Sequence, residues 1–301
     1  MKTTILNDGI RVMDAMGIPI MRQLCFLRYK LKFGKFPNMR NPQTINEKLL
    51  WLEFNTDTSK WTELSDKYLV RNYIKEKGLE HILVKSYGAF YNPMDIDFSA
   101  LPESFVIKTN NGYGTVLLIK DKKEISEQAL KVKLTKWLKE PFGYLTGEPH
   151  YTRIKPCIVI EELLNIDKSI SSSLVDYKMW CLNGKVYTCF ACANRSIEHH
   201  KADFCAYDIK DWKRRGDIMS EKYQNKTVLP KPKCLDEMVR YAEILSADFP
   251  LVRVDFYEVN GKVYFGEMTF TSNGGRMAYF TPEYLLEMGK ALDISKIKKT
   301  K

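Results

Sequence analysis

Two runs of this sequence flank an Asn-Gly pair: Val252-Arg253-Val254-Asp255-Phe256-Tyr257 before it and Val263-Tyr264-Phe265-Gly266-Glu267-Met268 after it. Alternating apolar residues on both sides of Asn260-Gly261 predict a β-hairpin. A two-residue turn pairs Asp255 with Gly266; a three-residue turn with Gly261 in a bulge pairs Asp255 with Phe265. A slip of one residue flips every side chain, so the pattern decides. The three-residue register puts Val252, Val254, Phe256, Tyr264 and Met268 on one face and Arg253, Asp255 and Glu267 on the other. It predicts Asp255 and Glu267 as diagonal neighbours, roughly 5–8 Å apart at Cβ. Carboxylates so spaced suit Mg²⁺ or Mn²⁺, hard cations that take oxygen ligands and bridge nucleotide phosphates. Asn273 offers another oxygen shortly downstream. The bland alternative is an acid pair on a solvated sheet surface, balanced by Arg253.

Lys108 is the second candidate. It closes the apolar strand Phe105-Val106-Ile107-Lys108-Thr109, directly before the loop Asn110-Asn111-Gly112-Tyr113-Gly114. An ammonium in such a strand must reach an anion or solvent, because an unpaired buried charge is costly. Backbone N–H groups of a glycine loop can turn toward phosphates. The alternative is a lysine snorkelling from an edge strand. Neither set decides alone.

The elements that must position these residues can be read in outline. Thr44-Ile45-Asn46-Glu47 is a capping box ahead of Leu49-Leu50-Trp51-Leu52 and predicts a helix over 44–54. A second helix is expected over 65–77, with Ser65 as N-cap and Gly78 following its end. Residues 82–85 read as a short strand. Strands are expected over 105–109 and 115–119, a helix over 126–140 stopped by Pro141, and a buried strand over 157–164 carrying Glu161 and Glu162. Strand, glycine loop, strand is a hairpin, not the strand–loop–helix of a P-loop. A further hairpin turns at Asn183-Gly184, a helix lies near 234–247, and Thr281-Pro282 opens a last one. The expected fold class is α+β with antiparallel sheets.

Composition bounds the rest. The 301 residues are 45% hydrophobic and 28% charged, as in ordinary globular proteins, with a net charge of +10. That charge favours acidic partners: nucleic acid, an anionic membrane face, or phosphorylated and uronate substrates. No RNA- or DNA-reading motif is present, so nucleic acid is not expected. No apolar run reaches the ~18 residues of a spanning helix, and no signal-peptide pattern opens the chain. Residues 11–36 mix apolar side chains with Arg22, Arg28, Lys30, Lys32 and Lys35, a pattern that suits either a capping helix or a peripheral contact with anionic lipid. Seven scattered cysteines read as reduced thiols in a cytoplasmic protein. Cys189 and Cys192 form a CxxC on an expected strand, where residues three apart face opposite ways, so buried structural thiols are expected. His199-His200 stands in a polar stretch where solvated histidines are the ordinary outcome.

The phrases NPQTINEKLLWL, SDKYLVRNYI, LPESFVIKTNNGYG, DYKMWCLNGKV and GEMTFTSNGG, in this order, resemble the TupA-like branch of the ATP-grasp superfamily. That branch is associated with teichuronopeptide and other surface-polysaccharide synthesis. The resemblance covers residues 40–285 and implies an ATP-grasp fold in which two antiparallel-sheet lobes clasp ATP, after a helical N-terminal region. It divides the chain into an N-terminal region (1–104), a small lobe with the phosphate loop (105–163) and a large lobe with the Mg²⁺ site (164–301). It implies that Lys67 and Lys108 bind phosphate, and that Asn111, Gly112, Tyr113 and Gly114 form the loop closing over the β- and γ-phosphates. Glu161, Glu162 and Leu163 correspond to the adenine-side linker, and Lys178 faces the triphosphate. Asp255 and Glu267 correspond to the metal carboxylates, and Arg253 to the basic residue beside them. One departure stands out. Many relatives have Glu-x-Asn at the second metal position, whereas this chain has Glu267-Met268-Thr269, and threonine is the poorer metal ligand.

The activity so implied is a carboxylate–amine ligase working through an acyl phosphate, with ATP, an amino acid and an acidic sugar or glycan precursor as partners. The localisation expected is cytoplasmic, with a peripheral site at the inner membrane face as the variant. The alternatives are an ATP-grasp phosphotransferase acting on a sugar, and a glycosyltransferase of polysaccharide synthesis, against which the lack of a DxD-like metal motif counts. A non-enzymatic binding module would leave both the phosphate and the metal sets unexplained.

Overall fold

The computed structural model describes residues 2–16, 20–196 and 201–300; His199 and His200 lie outside the described residues. The helices are α1 (Lys2–Ala15), α2 (Ile20–Phe33), α3 (Ile45–Asn55), α4 (Ser59–Ser65), α5 (Val70–Glu76), α6 (Glu127–Lys139), α7 (Pro149–Thr152), α8 (Leu235–Ser246) and α9 (Pro282–Ala291). The strands are β1 (Ser86–Phe90), β2 (Phe105–Thr109), β3 (Val116–Ile119), β4 (Ile158–Glu162), β5 (Asp176–Leu182), β6 (Lys185–Ser196), β7 (Lys201–Tyr207), β8 (Leu251–Val259) and β9 (Lys262–Thr269). The chain is mixed α+β with two antiparallel sheets, as the sequence pattern leads one to expect. It divides into two units: one of Met1–Leu27, Thr58–Tyr73 and Val84–Leu164, the other of Arg28–Asp57, Ile74–Leu83 and Asn165–Lys301.

The first unit holds a four-stranded sheet in the order β1-β4-β2-β3. Strand β2 alternates, with Phe105, Ile107 and Thr109 buried and Val106 and Lys108 half-buried on the other face. The buried face packs on Ile158 and Ile160 of β4, Ile119 of β3, and Leu130 and Leu134 of α6. Those two leucines lie four apart on α6, the spacing of a helix stripe, and burying each contributes about 1.5–3 kcal/mol. Ser126 caps α6 by accepting from Ala129 N at 3.4 Å. The helix ends at Lys139, two residues before Pro141, which cannot continue it.

The second unit holds a five-stranded sheet in the order β7-β6-β5-β8-β9. Helix α8 covers one face with buried Met238, Tyr241, Ala242 and Leu245. The thiol of Cys181 donates to Ala242 O at 3.9 Å, so Tyr177, Met179 and Cys181 of β5 point to the helix side. Asp176, Lys178 and Trp180 therefore point to the other. In the same unit Thr44 and Glu47 form the capping box of α3, and Glu47 also accepts from Asn38 N and Gln43 N, each at 3.0 Å.

Three local expectations are corrected. The helix expected over 65–77 is broken: Ser65 is the last residue of α4, and Asp66 accepts from Tyr68 N and Leu69 N, turning the chain before α5. The short aspartate competes for backbone donors, which a propensity reading of the window does not register. The strand expected over 82–85 is a 3-10 turn at Glu80–Ile82, and β1 starts at Ser86. The hairpin register also differs. Asn260 and Gly261 both take positive φ and close a two-residue turn, with Val259 opposite Lys262. The register then shifts between Asp255 and Phe256, so Asp255 stands directly opposite Glu267 and not diagonal to it. A bulge at Gly266 reconciles the favoured turn with the apolar pattern. A Cβ on Gly266 would lie 3.0 Å from Asp255 O, so the close approach of the two strands favours glycine there.

Candidate functional site

On the second unit, register alone collects the charged residues. Lys178 of β5 pairs with Asp255 of β8, and Asp255 pairs with Glu267 of β9, so the three occupy one face of the sheet. Arg253 and Thr269 pair one step along on the same face. The Arg253 guanidinium donates Nε to Asp255 Oδ1 at 2.6 Å and NH2 to Asp255 Oδ2 at 2.7 Å, a bidentate clamp. Its NH2 also reaches Glu267 Oε1 and Thr269 Oγ1, each at 3.0 Å, and NH1 reaches Ser272 Oγ at 2.7 Å. Lys178 Nζ donates to Asp255 Oδ2 at 2.6 Å and to Asp176 Oδ2 at 2.5 Å. Arg195 NH2 donates to the same Asp176 oxygen at 3.1 Å.

Burial makes this cluster costly unless every charge is answered. The side chains of Asp255, Asp176, Lys178 and Arg253 are 1%, 7%, 9% and 10% exposed, whereas Glu267 is 39% exposed and opens the cluster to solvent. For Lys178, burial and Arg253 press the ammonium pKa down, but Asp176, Asp255 and Glu267 together carry it above the ordinary lysine value. Arg253 is likewise held above its usual value: burial opposes the charge, and Asp255 overcomes it. Burial pushes the Tyr279 phenol up to about 12, so it stays a neutral hydroxyl, 3.0 Å from Ser272 Oγ.

On the first unit the candidates are looser. The β2–β4 register sets Glu161 opposite Val106, diagonal to Lys108 on the same face. Lys108 Nζ donates to Glu161 Oε2 at 2.5 Å, and Arg71 NH1 reaches Glu161 Oε1 at 3.3 Å. Lys67 lies in the turn between α4 and α5, and its Nζ donates to Gly112 O at 2.7 Å. Asn110 anchors the base of the loop: its Nδ2 donates to Asp66 Oδ2 and Lys155 O, and its Oδ1 accepts from Cys157 N. Beyond it, Asn111 is buried, Gly112 and Gly114 take positive φ, and Tyr113 is 81% exposed. A Cβ on Gly112 would sit 2.7 Å from the Phe142 ring. Glu162 is exposed at the end of β4, its N–H donated to Lys85 O at 2.9 Å, and Leu163 is half-buried after it.

The structure thus joins Lys108 to Glu161, Lys67 to the glycine loop, and Lys178 and Arg253 to the acids. Asn273 sits in a left-handed turn (φ 50) and donates Nδ2 to Arg276 O at 2.7 Å; the described hydrogen bonds do not join it to the acid pair. Among the described residues, no three His, Cys, Asp or Glu side chains are arranged to hold a metal ion by themselves. Two directly opposed carboxylates, one of them half-exposed, fit a divalent cation that brings its remaining oxygen ligands with a phosphate. Sequence reasoning missed Arg71, Asn110, Asp176 and Arg195. Asp176 was signalled by its place two residues before Lys178 on a strand, and Asn110 by its adjacency to the loop. Nothing in the sequence marked Arg71 or Arg195, which reach the clusters from a helix and from the end of β6. All seven cysteines are buried, and burial raises the Cys189 and Cys192 thiols above their ordinary value, leaving them protonated.

No curated protein sequence matches the chain. Among solved structures, D-alanine–D-alanine ligase from Bacillus anthracis aligns at 13% identity and a TM-score of 0.45, over 78% of this chain and 65% of that one. The corresponding ligase from Helicobacter pylori aligns at 15% identity and a TM-score of 0.45, over 83% of this chain and 67% of that one. The ATP-grasp ligase PsnB, complexed with a minimal precursor, aligns at 13% identity and a TM-score of 0.43, over 82% of this chain and 66% of that one. The chain thus spans about two thirds of the length of these proteins. The model of TupA-like ATP-grasp proteins matches residues 47–293, well over half of the sequence, and the chain belongs to that family.

Proposed function

We propose that this protein is an ATP-dependent carboxylate–amine ligase that joins an amino acid to an acidic sugar of a surface-glycan precursor. The observation that carries it is Arg253: a buried guanidinium fixed on Asp255, Glu267, Thr269 and Ser272, beside a half-exposed carboxylate. A cation held so rigidly suits an anion that develops during reaction, because it costs no reorganisation at that moment. Family membership supports ATP as the phosphoryl donor.

The chemistry gives each part a task. A carboxylate oxygen attacks the γ-phosphorus, the bond to the β-phosphate oxygen breaks, and ADP leaves. The amine nitrogen then attacks the acyl carbon, phosphate departs with the bonding electrons, and the amine proton passes to it. Lys67, Lys108 and Lys178 hold phosphate oxygens, and Arg253 faces the oxyanion. The loop Asn111, Gly112, Tyr113 and Gly114 closes over the intermediate and excludes water. Asp255 and Glu267, with Asn273 as a further oxygen, would hold Mg²⁺ or Mn²⁺, which supplies charge neutralisation for the phosphates. Glu161, Glu162 and Leu163 line the adenine side.

The net charge of +10 suits an acidic sugar or a lipid-diphosphate carrier. Among the described residues no helix is long and apolar enough to cross a membrane. Peripheral contact with anionic lipid is a proposal for residues 11–36, where Arg22, Arg28, Lys30, Lys32 and Lys35 are all exposed beside Leu31 at 78% exposure. The test is ADP release screened across amino acids paired with uronates. The expected result is release that requires both. Release with a stable phosphorylated product and no amine would replace the ligase by a phosphotransferase, and binding of UDP-sugar without ATP would replace both by a glycosyltransferase.

A further inference from the structure

The face of the five-stranded sheet that carries Arg253 and Asp255 also carries aromatic rings to which the proposed reaction gives no task. Phe190 of β6 stands opposite Lys178, and Cys192 stands opposite both Asp176 and Phe204 of β7, so Phe190 and Phe204 lie on that same face. Phe190 is 3% exposed and forms a floor. Phe204 stacks on it with ring centroids 5.3 Å apart, and Tyr279 stacks on it at 4.7 Å. Tyr223 closes the circuit, steeply inclined to Phe204 and to Tyr279, each at 6.2 Å. Phe204, Tyr223 and Tyr279 are half-buried rather than enclosed. Ser220 holds the two tyrosines together: its O accepts from Tyr223 N at 2.8 Å, and its N donates to Tyr279 O at 2.9 Å.

One hydrogen-bond chain joins these rings to the charged cluster. The Tyr279 hydroxyl lies 3.0 Å from Ser272 Oγ, which accepts from Arg253 NH1 at 2.7 Å. NH1 is the nitrogen of that guanidinium that touches no carboxylate, and only one of its two hydrogens meets an acceptor among the described residues. Beside Tyr223, Lys222 Nζ stands 6.0 Å from the ring centroid. These groups match a ligand with an apolar face, a polar rim and a negative charge. A pyranose uronate has that form: axial C–H bonds on one ring face, hydroxyls around the edge, and a carboxylate at one corner. Its polarised C–H bonds suit the negative face of an aromatic ring, while its hydroxyls stay in water. A wholly apolar ring favours walls on both sides, which half-buried rings do not supply. We propose that Phe204, Tyr223 and Tyr279 form the shelf on which the acidic sugar lies, its carboxylate turned toward Arg253 NH1, and that these rings set the choice of substrate. The inference rests on the ligase reading and names what holds the acid to be activated.

The test is saturation-transfer NMR of methyl β-D-glucuronide with the full chain, in the absence of ATP and amine. The axial protons of one ring face should saturate more strongly than those of the other. Tyr223→Leu keeps the apolar bulk and removes the ring; it should weaken binding at least about 5-fold, and Tyr223→Phe should bind like the parent. Methyl β-D-glucoside, which lacks the carboxylate, should bind more weakly than the glucuronide, and equal binding of the two overturns the contact with Arg253. No saturation transfer in the parent overturns the shelf, and so does equal binding by Tyr223→Leu and the parent. Binding of benzoate in preference to the glucuronide also overturns it and assigns the rings to an aromatic ligand. If Tyr223→Leu does not fold, Phe204→Leu, on a different element, takes the same measurement. ADP release separates this inference from the reading beneath it. Glucuronide binding that depends on Tyr223, without glucuronide-dependent ADP release, upholds the shelf and overturns the ligase; glucuronide-dependent ADP release that Tyr223→Leu leaves unchanged does the reverse.

Discussion

The lysine cluster on the four-stranded sheet and the acid cluster on the five-stranded sheet are built on opposite principles. The first is sparse: Lys108 and Arg71 share Glu161, Lys67 holds one carbonyl of the loop, and Tyr113 stands in solvent. The second is nearly saturated: Arg253 alone engages four residues, and Lys178 bridges two acids inside the sheet face. A group that must travel is tied by few bonds, because each bond must break before it moves. A group that must stabilise charge without delay is tied by many. The loop therefore suits closure, and the arginine suits a fixed electrostatic field.

That contrast can be broken most forcefully at Asp255. Asp255→Asn should cut ATP turnover at least about 100-fold. It should also cost about 3–5 kcal/mol of stability, since Arg253 and Lys178 would be left buried without their anion. Turnover assays with denaturant melts check both, and a melt like the parent's would show the cluster to be less rigid than its bonds suggest. Lys108→Ala should lose turnover by about the same factor, yet cost only about 1–2 kcal/mol, because Glu161 keeps Arg71. Unchanged turnover would remove Lys108 from the site. The smallest effect is expected at Gly112→Ala, where φ is +66 and the new methyl meets the Phe142 ring. It should raise the KM for ATP by roughly 3–10-fold while stability falls by about 1 kcal/mol. An equal fall in kcat with KM constant would argue against a loop that folds over the nucleotide.

Much of this arrangement was legible beforehand, for reasons that differ by residue. The α3 capping box needs only Thr44 and Glu47, a local pattern, and the structure forms it. The alternation along 105–109 puts Lys108 opposite the core face whatever its neighbours do. The two-sheet α+β class follows from such runs. The hairpin register did not follow, although the grouping of Arg253, Asp255 and Glu267 on one face did. The apolar pattern is satisfied equally by a longer turn or by a bulge, and only the close approach of Gly266 to Asp255 O chose between them. The helix over 65–77 failed because Asp66 offers its carboxylate to Tyr68 N and Leu69 N, a competition between side chain and backbone.

By itself the sequence determined which residues carry charge, which faces of β2 and β8 they occupy, and to which family the chain is similar. Period-two alternation and capping chemistry are short-range and survive without knowledge of neighbours. Tertiary structure alone decided that Lys178 lies between Asp176 and Asp255, that Arg71 reaches Glu161, and that one Asp176 oxygen meets no donor among the described residues. Those facts depend on strand order and on side chains distant in sequence meeting where water is excluded. There the energy of a charge is set by its partners rather than by its own type.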